Sequence, residues 1–98
     1  MTESAGQTAV RAHVMVSGRV QGVGYRAFAA RAASHHGVFG GVRNLDDGRV
    51  ELEVEGAKDA IDSVLQELKS GPPAAHVMKI ETEWGKATGR FSSFMIWY

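Results

Sequence analysis

Gly18-Arg19-Val20-Gln21-Gly22-Val23-Gly24-Tyr25-Arg26 is the stretch on which the reading of this chain turns, because it joins two different periodicities. Upstream, Val10 to Ser17 alternates, with Val10, Ala12, Val14 and Val16 on one side and Arg11, His13, Met15 and Ser17 on the other. That pattern predicts a strand with one buried face. Downstream, Tyr25, Phe28, Ala29, Ala32, Ala33 and His36 recur at helical spacing, and Gly37 follows as a C-cap. A glycine-rich turn that feeds a helix leaves several backbone N–H groups unpaired at its positive dipole end, which suits an anion. Arg26 falls in the first helical turn, where the dipole disfavours a cation, and Arg19 adds a second positive charge. The combination predicts a bound anion, with phosphate the best candidate. The plainer alternative is a tight turn with two solvated arginines.

Working outward, Val38 to Asn44 reads as a short second strand, Leu45-Asp46-Asp47-Gly48 as a turn, and Arg49 to Glu55 as a third strand. In that third strand Val50, Leu52 and Val54 point inward while Glu51, Glu53 and Glu55 point outward. Ala57, Ala60, Ile61, Val64, Leu65 and Leu68 form the apolar stripe of a second helix, closed by Ser70-Gly71-Pro72-Pro73. His76 to Trp84 is expected to be a fourth strand, with Met78, Ile80, Thr82 and Trp84 inward, and Gly85 to Gly89 to break it. Phe91 to Tyr98 reads as a final strand, with Trp84, Trp97 and Tyr98 as packing residues.

This order, βαββαβ with an additional short strand, is the split β-α-β pattern of an α+β, ferredoxin-like fold. It implies a mixed, largely antiparallel sheet with both helices on one face. Nucleic-acid binders of this topology stack bases on the open face. Glu51, Glu53, Glu55, Glu81 and Glu83 are expected on that face and would repel a phosphate backbone, so no nucleic-acid partner is expected.

The 98 residues suit one domain over 10–98, and residues 1–9 (MTESAGQTA) read as a disordered tail. Lysine plus arginine equal aspartate plus glutamate at 11 each, so no overall field favours nucleic acid or membrane. The absence of cysteine excludes disulfides, thiolate chemistry and cysteine-based zinc sites. The first residues carry neither a basic n-region nor an apolar core, and no apolar run approaches a membrane span. A cytoplasmic protein without a membrane partner is the expectation.

Two rival motifs touch the loop. Gly22-x-Gly24-x-x-Ala27 matches the dinucleotide fingerprint, with Asp46 and Asp47 near the distance of a ribose ligand, but it needs a second strand followed by another helix, and here the second strand runs into a hairpin. The P-loop pattern fails, since no Gly-Lys-Ser/Thr follows. The four histidines show no spacing for a metal or a catalytic dyad: His13 lies on the polar side of its strand, and His35-His36 ends a helix, where cations suit the dipole.

Gly18 to Arg26 resembles the nine-residue phosphate-loop signature of the acylphosphatases, and Gly40-Gly41-Val42-Arg43-Asn44-Leu45-Asp46-Asp47-Gly48-Arg49-Val50, extending to Gly56, resembles that family's second signature. The likeness spans residues 10–98. It departs at Gly41, where the family usually has an aromatic residue, and at Trp97, where an arginine often precedes the terminal tyrosine. The resemblance implies hydrolysis of the carboxyl–phosphate bond of an acyl phosphate, giving a carboxylate and inorganic phosphate, with the phosphate also acting as product inhibitor. It assigns phosphate binding to Arg19, Val20, Gln21, Gly22, Val23 and Arg26, and catalysis to Arg26 and Asn44. No metal or cofactor is implied, and a monomer is expected. The class-distinct alternative is a phosphate-binding module without turnover, which would have no need of a water-positioning amide at Asn44.

Overall fold

The computed structural model describes residues 8–98, so the first seven residues of the expected tail lie outside it. The elements run β1 (Val10–Arg19), α1 (Tyr25–His35), β2 (Phe39–Asn44), β3 (Val50–Gly56), α2 (Lys58–Ser70), β4 (His76–Lys86) and β5 (Phe94–Ile96). The sheet order is β4-β1-β3-β2-β5. β1 lies antiparallel to both β3 and β4, β2 and β3 form a hairpin, and β5 runs parallel to β2. The fold is the expected α+β, ferredoxin-like one. With β3 between β1 and β2, the parallel pair that a dinucleotide fingerprint requires does not exist.

The alternation of β1 and β3 decides which face is covered. Ala12, Val14 and Val16 of β1, and Val50, Leu52 and Val54 of β3, are fully buried. They pack with Ala29, Ala32 and Ala33 of α1 and Ile61, Val64 and Leu68 of α2 in one core. Small alanines on α1 let that helix sit close to the sheet, while the branched stripe of α2 fills the rest. Tyr25 ties the two helices together: its buried hydroxyl donates to the Leu68 carbonyl at 2.8 Å. Burial pushes that hydroxyl's pKa well above the usual tyrosine range.

Four expectations need correction. Met78 is 75% exposed rather than inward. A bulge opposite Ser17 and Gly18 shifts the β1–β4 register by one residue, so Val77 packs on the core instead. Gly18 makes the bulge possible, since a Cβ there would overlap the His76 carbonyl oxygen. Glu55, expected in solvent, is only 4% exposed. Its carboxylate accepts from the Thr88 N–H (2.9 Å), the Thr88 hydroxyl (2.7 Å) and the Gly89 N–H (3.0 Å), folding the β4–β5 connection back onto the sheet. The final strand is three residues long, because β5 pairs only with Gly40, Gly41 and Val42. β4 meanwhile continues through Gly85 to Lys86, since both still pair with β1.

On the open face the carboxylates are largely neutralised. Glu51 receives His13 and Arg43, each at 2.7 Å, and Glu53 receives Arg11 at 3.4 Å and Arg90 at 2.6 Å. The field of that face is therefore weaker than five bare carboxylates would give.

Candidate active site

The loop Val20 to Gly24 leaves the sheet at the end of β1 and delivers the chain to α1. Val20 anchors it in the core, 1% exposed. Gln21 braces it from the other side, donating from Nε2 to the carbonyls of Leu45 (2.7 Å) and Arg49 (2.9 Å) in the β2–β3 turn. Gly24 caps α1 in the left-handed conformation at φ 83°, a geometry that glycine adopts without strain. No side chain caps the helix and no acidic residue lies in its first turn. Its leading N–H groups are thus left without a protein anion, whereas α2 carries Asp59 in the same place.

Beside this helix end lies a cavity of about 270 Å³. The loop and α1 line it with Val20, Gly22, Gly24, Tyr25, Arg26 and Ala27, β2 with Asn44, and the C-terminal segment with Ile96 and Tyr98. Of the residues assigned from sequence, the fold brings Arg26, Asn44, Val20 and Gly22 to this cavity. Arg19, exposed at the end of β1, does not line it, and neither do Gln21 and Val23.

Of the arginines without an ion pair among the described residues (Arg19, Arg26 and Arg31), Arg26 alone lines the cavity, and Asn44 beside it carries an unpartnered oxygen. Arg11, Arg43, Arg49 and Arg90 each sit on a carboxylate. Arg26 has no ion pair among the described residues. Its guanidinium instead lies 5.4 Å from the centre of the Tyr98 ring. The Asn44 side-chain oxygen is buried and accepts no hydrogen bond from the described residues. A buried acceptor without a donor costs on the order of 1–3 kcal/mol, so an unpartnered oxygen on a residue that lines the cavity calls for a functional explanation. Asp47, by contrast, is occupied: it holds the Arg49 side chain at 2.7 Å and accepts the Arg49 N–H at 3.1 Å. Those bonds keep its carboxyl below the usual range and make it a turn former.

With that geometry in view, comparison with known proteins is direct. A family model described as acylphosphatase matches residues 12–96. The chain belongs to the acylphosphatase family. It is 50% identical over 86 residues to an acylphosphatase of Methylococcus capsulatus, covering 88% of this chain and 94% of that relative. It is 49% identical over 87 residues to one of Anaeromyxobacter dehalogenans, with 89% and 94% covered. Its fold matches the crystal structure of acylphosphatase from Bacillus subtilis with a TM-score of 0.88 and 36% identity, covering 91% of this chain and 99% of that one. The chain is accordingly a hydrolase of acyl phosphates.

Sequence reasoning missed Ile96 and Tyr98. Tyr98, read as packing, is fully exposed above Arg26. No periodicity foretells that β5 pairs in parallel with β2 and so brings the chain end to the loop. The two departures from the family pattern also meet in space: the Trp97 indole lies over Gly41, where any Cβ would overlap it.

Proposed function

We propose that the Arg26 guanidinium and the amides of the Arg19–Val23 loop hold the phosphoryl group of an acyl phosphate, while Asn44 aims the attacking water. Arg26 supplies two N–H donors in a planar fork, and the loop and helix amides supply more, so phosphoryl charge is met by preorganised dipoles as it redistributes. The Asn44 side-chain amide hydrogen-bonds the water and leaves a lone pair of the water oxygen directed at phosphorus. Attack proceeds in line: the water oxygen bonds to phosphorus as the bond to the carboxylate oxygen breaks. The carboxylate leaves with the electron pair and needs no strong acid, because its conjugate acid has a low pKa. The water proton passes to a phosphoryl oxygen, and inorganic phosphate results. Every role is filled by this chain without a metal or cofactor. The same contacts make phosphate a competitive inhibitor. A monomer working in the cytoplasm fits this small domain, within which no described helix is long and apolar enough to cross a membrane.

The observation that carries the reading is that Asn44, whose side-chain oxygen has no hydrogen-bond partner among the described residues, lines the same cavity as Arg26. Asn44→Ala is expected to leave the phosphate inhibition constant within a few-fold of wild type and to lower turnover of benzoyl phosphate by about 10²-fold, the scale for one preorganised polar group. Arg26→Ala is expected to damage both. If Asn44→Ala loses phosphate affinity in proportion to turnover, Asn44 is an anion ligand and the water-aiming role is wrong. Normal turnover would leave Asn44 only a turn former with no part in catalysis.

A further inference from the structure

β5 and the two residues after it form a wall of the cavity, and what secures that wall lies on the other face of the sheet. Beyond its three-residue ladder with β2, the segment is flanked by two further backbone bonds to that strand, from the Gly40 N–H to the Ser93 carbonyl (2.9 Å) and from the Trp97 N–H to the Val42 carbonyl (2.8 Å). Side chains alternate along it: Ile96 and Tyr98 reach the cavity, and Trp97 goes through to the open face. There the indole occupies the hollow over Gly41 and lies 6.0 Å from the Phe91 ring, which in turn stacks with Arg90. The hollow exists only because Gly41 has no side chain. Its neighbour across the ladder is Glu53, which Arg90 also holds, so the seat is closed on its flank.

We infer that Trp97 is a positioning residue for the anion site: its indole, seated on Gly41, fixes the chain end so that Tyr98 stays over Arg26. Three ladder residues are too few to fix the place of residues 97 and 98 by themselves, and the indole supplies the missing anchor. Asn44 is secured separately, through its pairing with Val50 in the β2–β3 hairpin. Trp97 therefore acts on the grip of Arg26 and not on the aim of the water. Loss of the seat makes the competent arrangement a minor fraction of the population, which weakens ligand binding by that fraction.

This inference rests on the Arg26 anion site proposed above, and the test separates the two. KM and kcat for benzoyl phosphate, the phosphate inhibition constant and Tm are measured for Trp97→Ala, Trp97→Phe, Gly41→Ala and the Trp97→Ala/Gly41→Ala double variant. Trp97→Ala is expected to raise KM and the inhibition constant together by about five- to tenfold with kcat within about twofold, the signature of lost uniform binding. Gly41→Ala, which expels the indole without altering it, is expected to do the same. Trp97→Phe restores most of the affinity, and the double variant is no worse than Trp97→Ala, because both changes break one contact. Unchanged KM and inhibition constant in Trp97→Ala or Gly41→Ala, with only a lower Tm, would overturn the inference and leave the indole a packing residue. Additive losses in the double variant would overturn it too. Should Trp97→Ala fail to fold, Trp97→Leu and Gly41→Ala carry the same comparison. Arg26→Ala is run alongside: if it keeps phosphate affinity, the anion site itself is misplaced, whereas if it loses affinity and the Trp97 variants do not, only the role of Trp97 falls.

Discussion

Arg26 sits in the first turn of α1, where the helix dipole opposes a positive charge. No carboxylate among the described residues compensates it. An uncompensated cation at a helix N-terminus is stable in company with an anion, and a guanidinium grips a phosphoryl group through two oxygens at once. Lysine keeps the charge and loses that fork. Arg26→Lys is therefore expected to cut kcat/KM for benzoyl phosphate by about 10³-fold or more, the scale of phosphoryl-transfer arginines. Near-normal kcat/KM in the lysine variant would mean that charge alone suffices. At this scale the sequence was informative where a residue's chemistry conflicts with its place, as with an arginine at a helix start. It was silent on Tyr98, whose partner is set by strand pairing and not by anything local to residue 98.

Among the elements, β1, β3 and α2 were legible because each has one buried face and a period that matches its geometry. β4 was legible only in part: the bulge at Gly18 breaks the period, which turned Met78 outward. Glu55 shows the opposite failure, a residue placed outward by alternation and then covered by a connection that no local pattern describes. Burial tends to raise its pKa, but the Thr88 and Gly89 bonds and the nearby Arg90 charge outweigh that and hold it below the ordinary glutamate range. A carboxyl whose folded pKa is depressed stabilises the native state above its unfolded value of about 4.3 and loses that contribution as pH falls through the folded value. Glu55→Gln removes the charge and one of the two acceptor oxygens. It is expected to lower stability at pH 7 by about 1–2 kcal/mol, a Tm drop of about 4–15 °C for a domain of this size. The gap to wild type is expected to close as pH falls below about 4.3. Glu51, held low first by its His13 bond and then by Arg43, titrates in both proteins and cancels in the difference. A gap that persists unchanged into acid would show that the carboxylate charge contributes nothing to the clamp.

For the whole molecule, the order of helices and strands was enough to predict an α+β sheet with two helices on one face, since right-handed crossovers leave few other arrangements. The parallel return of β5 beside β2 was not foreseeable, and it is this long-range pairing that closes the cavity. A site assembled from the loop after β1, the end of β2 and the chain terminus exists only in the folded state, so its ligand must stabilise the fold by mass action. Inorganic phosphate at ten times its dissociation constant is expected to add about 1.4 kcal/mol, a rise in Tm of about 5–10 °C. Differential scanning calorimetry at matched ionic strength, with chloride as the control, separates this from a general salt effect. Arg26→Ala is expected to lose the phosphate-specific shift, while Asn44→Ala keeps it, because the amide is assigned to the water and not to the anion. An equal shift with chloride, or one that survives Arg26→Ala, would place phosphate elsewhere on the molecule and separate the anion site from the cavity.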